Sequence, residues 1–215
     1  MLCADSIGKR FGDRDVLTAA TLRAPAGTIT LMLGQNGIGK STLLTIAARY
    51  LGADHGAVTF KGHTYLRPRW HRLARAGHCF IPDREIRSPR VTVRQHLAAV
   101  ARQFGSGDVE ASAALFGATR HLDQLAVRLS PGERRRAELA IAALRSPDCL
   151  LADGPYRSID PKDRELVSHG FRQLASIGCA VVVSGHEVPD LLAVADPVVW
   201  RTDGTTYELG APAKQ

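Results

Sequence analysis

Residues 34–41 read Gly-Gln-Asn-Gly-Ile-Gly-Lys-Ser and stand between an apolar run at 28–33 (TITLML) and a second apolar run at 42–50 (TLLTIAARY). They satisfy G-x-x-x-x-G-K-[ST] in the context that gives the pattern meaning, a buried strand entering a glycine-rich loop that opens a helix. The physics is specific. Gly37 and Gly39 let the backbone turn its N–H groups toward phosphates, and the helix N-terminus adds its positive end. Lys40 can reach the β- and γ-phosphates, and Ser41 can coordinate Mg²⁺. This stretch of chain is therefore committed to a strand–loop–helix unit that binds a nucleotide.

Around that unit the pattern reads as an α/β chain. Strand-like runs LCADSI (2–7) and VLTAATLRA (16–24), broken by Gly12-Asp13 and by Pro25 and Gly27, predict antiparallel strands that feed the buried strand before the loop. A short strand AVTFKG (57–62) and a buried one, HCFI (78–81), follow, with a basic segment from Arg67 to Arg75 between them. From about 91 to 145 the pattern is helical. It opens at Thr92, a cap residue, and closes in a helix whose Ala137, Ala140, Ile141 and Leu144 form one apolar stripe with its arginines on other faces. The runs CLLAD (149–153) and CAVVVSG (179–185), separated by a helical segment from Lys162 to Ile177, are continuous apolar strands of the kind found in a parallel sheet covered on both faces. PVVWRT (197–202) and TTYELG (205–210) close the chain as strands. The expected organisation is one folding unit over 1–215, with a mostly parallel sheet, an N-terminal antiparallel β part and an inserted helical lobe at roughly 86–145.

Composition excludes several other classes. With 215 residues, 45% hydrophobic and 23% charged, the chain is an ordinary globular sequence. Its net charge of +7 could serve nucleic acid or an anionic surface. The arginines are dispersed, however, with no basic tail and no aromatic interleaving, so the charge reads as a solvated surface rather than a nucleic-acid face. Cys3, Cys79, Cys149 and Cys179 have no zinc-like spacing, and three sit in strand-like runs, so they read as reduced core thiols. The N-terminus turns polar too soon for a signal peptide, and no window approaches the roughly 18 apolar residues of a membrane helix. A cytoplasmic chain is expected, at the inner face of a membrane only through a partner. Apart from His186, the histidines lack ligand spacing and are expected at the surface.

The rest of the sequence narrows the kind of nucleotide protein. GQNGIGKST (34–42) resembles the GxNGxGKST loop of ATP-binding cassettes of the ABC family. RLSPGERRRAELAIAALRSPDCLLADGP (128–155) resembles that family's LSGGE/Q signature, the helix after it and its Walker B strand, in the family's order. SIDP (158–161) falls at the D-loop and VVVSGHE (181–187) at the switch histidine, so the resemblance spans nearly the whole chain. It implies a P-loop NTPase core and a subunit that binds Mg-ATP, dimerises around it, as a homodimer or with another cassette, and couples this to a transmembrane partner. The nucleotide set it implies is Phe11 stacking on adenine, Val16 near the ribose, the loop residues Gly34, Gln35, Asn36, Gly37, Ile38, Gly39, Lys40, Ser41 and Thr42, and the signature residues Ser130 and Gly132 reaching ATP on the other subunit. Ser41, Asp83 and Asp153 are the implied Mg²⁺ set, and His186 the γ-phosphate sensor.

Three positions depart from the family pattern. Gly154 stands where the family has a glutamate that polarises the attacking water. Asp83 replaces the glutamine that ends the equivalent of FIPD (80–83), and Pro131 replaces the first signature glycine. Losing a positioned base typically costs about 10²- to 10⁴-fold in rate and leaves phosphate-loop binding intact. Asp83, Asp160 and Glu187 are candidate substitutes. The expectation is an ATP-binding transporter subunit with weak or partner-assisted hydrolysis. The alternative is a non-hydrolysing nucleotide-dependent dimer switch, and a third reading, a soluble ATPase acting on nucleic acid, draws only on the basic charge.

Overall fold

A computed structural model of the chain describes residues 1–65, 70–83, 90–105, 107–185, 192, 195–202 and 205–210, with backbone alone at 200–201 and 207–209. The chain enters as a β-hairpin, β1 (Leu2–Phe11) and β2 (Arg14–Ala24), turning at Gly12, whose φ of 57° a side chain would resist. β3 (Ile29–Leu33) then carries the phosphate loop into α1 (Lys40–Ala47). β4 (His55–Phe60) and β5 (His63–Tyr65) return beside β1 and complete a four-stranded antiparallel sheet in the order β2-β1-β4-β5. The short α2 (Trp70–Arg75) leads to β6 (His78–Ile81). The helices α3 (Val93–Phe104), α4 (Val109–Leu115) and α5 (Pro131–Ala143) follow, and then β7 (Cys149–Asp153), α6 (Pro161–Ser176), β8 (Ala180–Ser184), β9 (Val198–Thr202) and β10 (Thr205–Gly210).

The second sheet has six strands in the order β10-β9-β3-β8-β7-β6, parallel throughout except for the β9/β10 edge. Strand alternation divides two cores between its faces. Ile29, Leu31, Leu33, Leu150, Ala152, Val181 and Val183 join residues of α3 to α6 in one core. Met32, Cys149, Leu151, Ala180 and Val182 join α1 and the antiparallel sheet in the other. A strand buried on both faces must be apolar at every position, which is why CLLAD and CAVVVS lack polar alternation. α3 to α5 are inserted between β6 and β7, which are neighbours in the sheet, so the helices extend to one side without interrupting the parallel pairing.

The helix termini follow local chemistry. Thr92 caps α3 in a capping box with Gln95, as its sequence predicts, and Ser130 caps α5 in a second box with Glu133, with Pro131 in the first turn. Burial of the side chains differs from expectation in two places. α5 is buried almost all round, and Arg135 and Arg136 are only 5% and 4% exposed rather than on a solvated face. Arg135 donates to the Pro82 carbonyl and pairs with Glu138. Arg136 donates to the Gly117 carbonyl and pairs with Asp163, so each guanidinium is matched before it is covered. Likewise His78 and His121 are buried, whereas His55, His63, His71 and His169 are exposed. Cys79, Cys149 and Cys179 are buried free thiols and Cys3 is partly covered, as the strand runs imply. No helix among the described residues is long and apolar enough to cross a membrane.

Two consequences can be measured. Burial, helped by Arg145, lowers the His78 pKa from 6.5 to about 4, and the ring sits edge-on to Phe60 with Nε2 making no hydrogen bond. Between those pH values the unfolded chain takes up a proton that the folded chain refuses. The contribution of neutral His78 is therefore complete above pH 6.5 and is lost as the pH falls toward 4, by roughly 3 kcal/mol in total. Urea unfolding across this range should show a shallower loss of stability in His78→Phe than in the parent, and parallel curves would contradict the assignment. At the start of α5, a Cβ on Gly132 would lie 2.5 Å from the Ser158 carbonyl oxygen. Crowding of that kind costs about 1–3 kcal/mol, more than the helix propensity alanine adds at a first turn, so Gly132→Ala should lower the unfolding midpoint.

Candidate functional site

The parallel register brings the site together. β3, β8 and β7 end side by side, with Asp153 opposite Ser184 and Met32 opposite Ser184, so the loops that follow them open at one edge of the sheet. There a cavity of about 360 Å³ is lined by Phe11, Arg14, Val16, Asn36, Gly37, Gly39, Lys40, Ser41, Thr42, Asp83, Asp153, Gly154, Arg157, Ser184 and Gly185. Of the residues singled out from the sequence, the structure gathers Phe11, Val16, Asn36, Gly37, Gly39, Lys40, Ser41, Thr42, Asp83, Asp153 and Gly154 around this one cavity. Gly34, Gln35 and Ile38 shape the loop without lining the cavity. His186 and Glu187 lie outside the described residues, immediately after Gly185.

The loop is held in the conformation that its glycines permit. Gly37 and Gly39 have φ of 77° and 95°, Gly39 is the N-cap of α1, and the Ile38 N–H donates back to the Gln35 carbonyl at 3.4 Å. Lys40, 8% exposed, donates from Nζ to the carbonyls of Gly34 (2.6 Å) and Gln35 (2.9 Å), so the ammonium is fixed inside the loop's curve. Arg14 donates to the Gly37 carbonyl at 3.4 Å. At the mouth Phe11 is 49% exposed, with the Lys9 ammonium 5.5 Å from its ring centre. A ring presented to solvent beside a polar cavity can stack on a planar base.

On the opposite wall Asp153 is 6% exposed and accepts a hydrogen bond from the Ser184 hydroxyl, while the Gly154 N–H donates to the Ser184 carbonyl. Gly154 adopts φ 56°, and a Cβ there would stand 3.1 Å from Asp83 Oδ1. Asp83 is flanked by two arginines: Oδ1 is 3.6 Å from Arg135 Nη2, and Oδ2 accepts from Arg157. Ser41, Asp83 and Asp153 thus offer hard oxygen donors around one cavity. No cluster of three or more His, Cys, Asp or Glu residues that could hold a metal ion occurs among the described residues. That donor set fits Mg²⁺, which takes one or two protein oxygens and completes its shell with phosphates and water.

Ser130 and Gly132 lie elsewhere, on a second cavity with Pro131, Glu133, Ser158 and Asp160. Within one chain they do not reach the phosphate loop. The Ser130 hydroxyl accepts from the Glu133 N–H at 3.3 Å, which closes the first turn of α5. The Ser130 N–H donates to Glu133 and holds that carboxyl below the usual range. Asp160 caps α6 through the Lys162 N–H and faces this second cavity rather than the first, which separates it from the phosphate loop's chemistry. Sequence reasoning missed Arg14, Arg157, Ser184 and Gly185. Ser184 could have been found as the residue ending the strand next to Asp153, whereas no spacing marks Arg14 or Arg157.

Comparison with known proteins agrees with this fold. Residues 17–157 match the family model described as ABC transporter. The Nod factor export ATP-binding protein I of Rhizobium etli is 29% identical over 212 residues, covering 96% of this chain and 66% of that protein. A phosphonates import ATP-binding protein of a Synechococcus species is 30% identical over 230 residues, covering 99% of this chain and 86% of its own length. An ATP-binding cassette solved as a dimer with ADP and phosphate superposes with a TM-score of 0.85 at 20% identity, over 100% of both chains. A nucleotide-free cassette from an ABC transporter gives 0.85 at 20% identity, over 98% of this chain and 91% of the other. At that identity the structures establish the fold, a P-loop α/β core carrying an antiparallel sheet, and the family match does the rest: the chain belongs to the ABC transporter family, as one of its ATP-binding cassettes.

Proposed function

We propose that the chain is a nucleotide-binding domain over 1–215 that takes up Mg-ATP in the Lys40 cavity and closes as a dimer, with another copy or a second cassette, so that Ser130 and Gly132 face the partner's phosphate loop. It couples this closure to a transmembrane partner at the inner face of the membrane and turns ATP over slowly or with a partner's help. In this reading Phe11 and Val16 hold the base and ribose, and Gly34 to Thr42 hold the phosphates. Ser41 and Asp153, with Asp83, hold Mg²⁺, which when bound neutralises phosphate charge. His186 acts as the γ-phosphate sensor that the resemblance implies. Substrate and direction of transport then belong to the membrane partner.

The observation that carries the slow-turnover part is the backbone at Gly154. The family's glutamate is not merely absent. The chain there is left-handed, where an L side chain costs about 1–2 kcal/mol, and the side chain would start 3.1 Å from the Asp83 carboxylate. A carboxylate at 154 beside Asp83 would place two like charges next to a triphosphate. The absence of the base and the presence of Asp83 therefore belong to one arrangement that favours holding the nucleotide over cleaving it.

Two measurements test this. Lys40→Ala should abolish ATP binding and ATP-induced dimerisation in size-exclusion chromatography while leaving the fold intact. Parent turnover should lie well below about 1 s⁻¹. Gly154→Glu alone should gain little, because of the strained backbone and the facing carboxylate, whereas the Asp83→Gln/Gly154→Glu double variant should gain about 10²-fold or more. Parent turnover at or above about 1 s⁻¹ would overturn the slow-turnover reading.

A further inference from the structure

Two cations in the cavity, Arg14 and Arg157, are accounted for by neither the loop motif nor the family pattern; Arg14 donates to the Gly37 carbonyl of the loop, and Arg157 stands on the acidic wall. The backbone at Arg157 is tightly set. The Arg157 N–H donates to the Gly154 carbonyl at 3.0 Å, closing a turn directly after Asp153. The preceding Tyr156 is 1% exposed, with its hydroxyl 2.6 Å from Ser168 Oγ and its ring 6.2 Å from that of Phe171. From this fixed base the side chain, 66% exposed, reaches into the same cavity as Lys40 and Asp153 and donates to Asp83 Oδ2.

The two arginines around Asp83 are unlike each other. Arg135 is 5% exposed and is held by the Pro82 carbonyl at 3.0 Å and by Glu138 at 2.9 Å, so it is a permanent neighbour of the carboxylate. Arg157 is joined to Asp83 by an exposed pair of the kind that contributes little to stability and exchanges readily. A guanidinium matches phosphate oxygens as well as it matches a carboxylate, through the same planar fork. The position is also informative. Asp83 and Arg157 flank Gly154, where the family pattern puts the group that faces the terminal phosphate. This chain thus replaces a carboxylate at that end with a neutral glycine and an ion pair whose cation can swing.

We propose that Arg157 is a ligand for the terminal phosphate of the bound nucleotide. It leaves Asp83 when that phosphate enters, and the exchange makes the chain prefer a nucleoside triphosphate to the diphosphate. Asp83 keeps Arg135 as its counter-ion, so the exchange strands no charge. This inference rests on the reading of the cavity as a Mg-nucleotide site.

The test is calorimetric binding of Mg-ATP and Mg-ADP to the full chain, with melting temperatures confirming that each variant folds. Arg157→Gln should weaken ATP binding about tenfold or more and leave ADP within about twofold, and Arg157→Lys should recover part of the loss. Asp83→Asn, which releases Arg157, should raise the ratio of ATP to ADP affinity. If Arg157→Gln changes both nucleotides equally, or neither, the role assigned to Arg157 is wrong. Lys40→Ala must lose both nucleotides in the same assay. A parent chain that binds neither would instead overturn the reading of the cavity itself.

Discussion

The pairing of β3, β8 and β7 in parallel is the constraint on which the rest of this structure depends. Parallel strands end at the same edge, so three segments far apart in sequence deliver their loops to one place: Gly34 after β3, Gly154 after β7 and Gly185 after β8. Ligands of open α/β sheets bind beyond the carboxyl ends of the strands for this reason. The Ser184 hydroxyl donating to Asp153, and the Gly154 N–H donating to the Ser184 carbonyl, continue the β7/β8 pairing past its last residues and hold the acidic wall of the cavity against the loop wall.

A second coupling concerns what stands around Asp83. In isolation each departure from the family pattern reads as the loss of a part. Taken together, glycine at 154 with a left-handed backbone, aspartate at 83 just beyond it and two arginines on that aspartate form a connected arrangement. Arg135 reaches Asp83 from α5, the helix that Ser130 caps, so the wall of the phosphate cavity and the signature surface are joined through one buried side chain.

The local parts of this account were legible from the chain. The phosphate loop is contiguous, its glycines are required by positive φ, and its flanking strand and helix carry their own apolar patterns. The cap at Thr92 is a three-residue signal. The arginines of α5 were not legible in the same way. An apolar stripe of Ala137, Ala140, Ile141 and Leu144 implies a polar opposite face. Whether that face meets water depends on Gly117, Pro82 and Asp163, which are distant in sequence and supply the partners that let Arg135 and Arg136 be buried. His78 was misplaced for a related reason, since a strand that alternates between two cores leaves no solvent face for its ring.

By itself the sequence determined that a glycine-rich loop of G-x-x-x-x-G-K-[ST] pattern stands between a buried strand and a helix, that the later strands are apolar throughout, and that a glycine stands at 154 where the family pattern has a glutamate, because each of these is a matter of residue type within a short stretch. Only the tertiary structure decided what replaces that glutamate. The left-handed turn at Gly154, the approach of Asp83 to it and the reach of Arg157 across the cavity are set by where β6 and β7 end beside one another. No spacing along the chain encodes a distance between the ends of neighbouring strands.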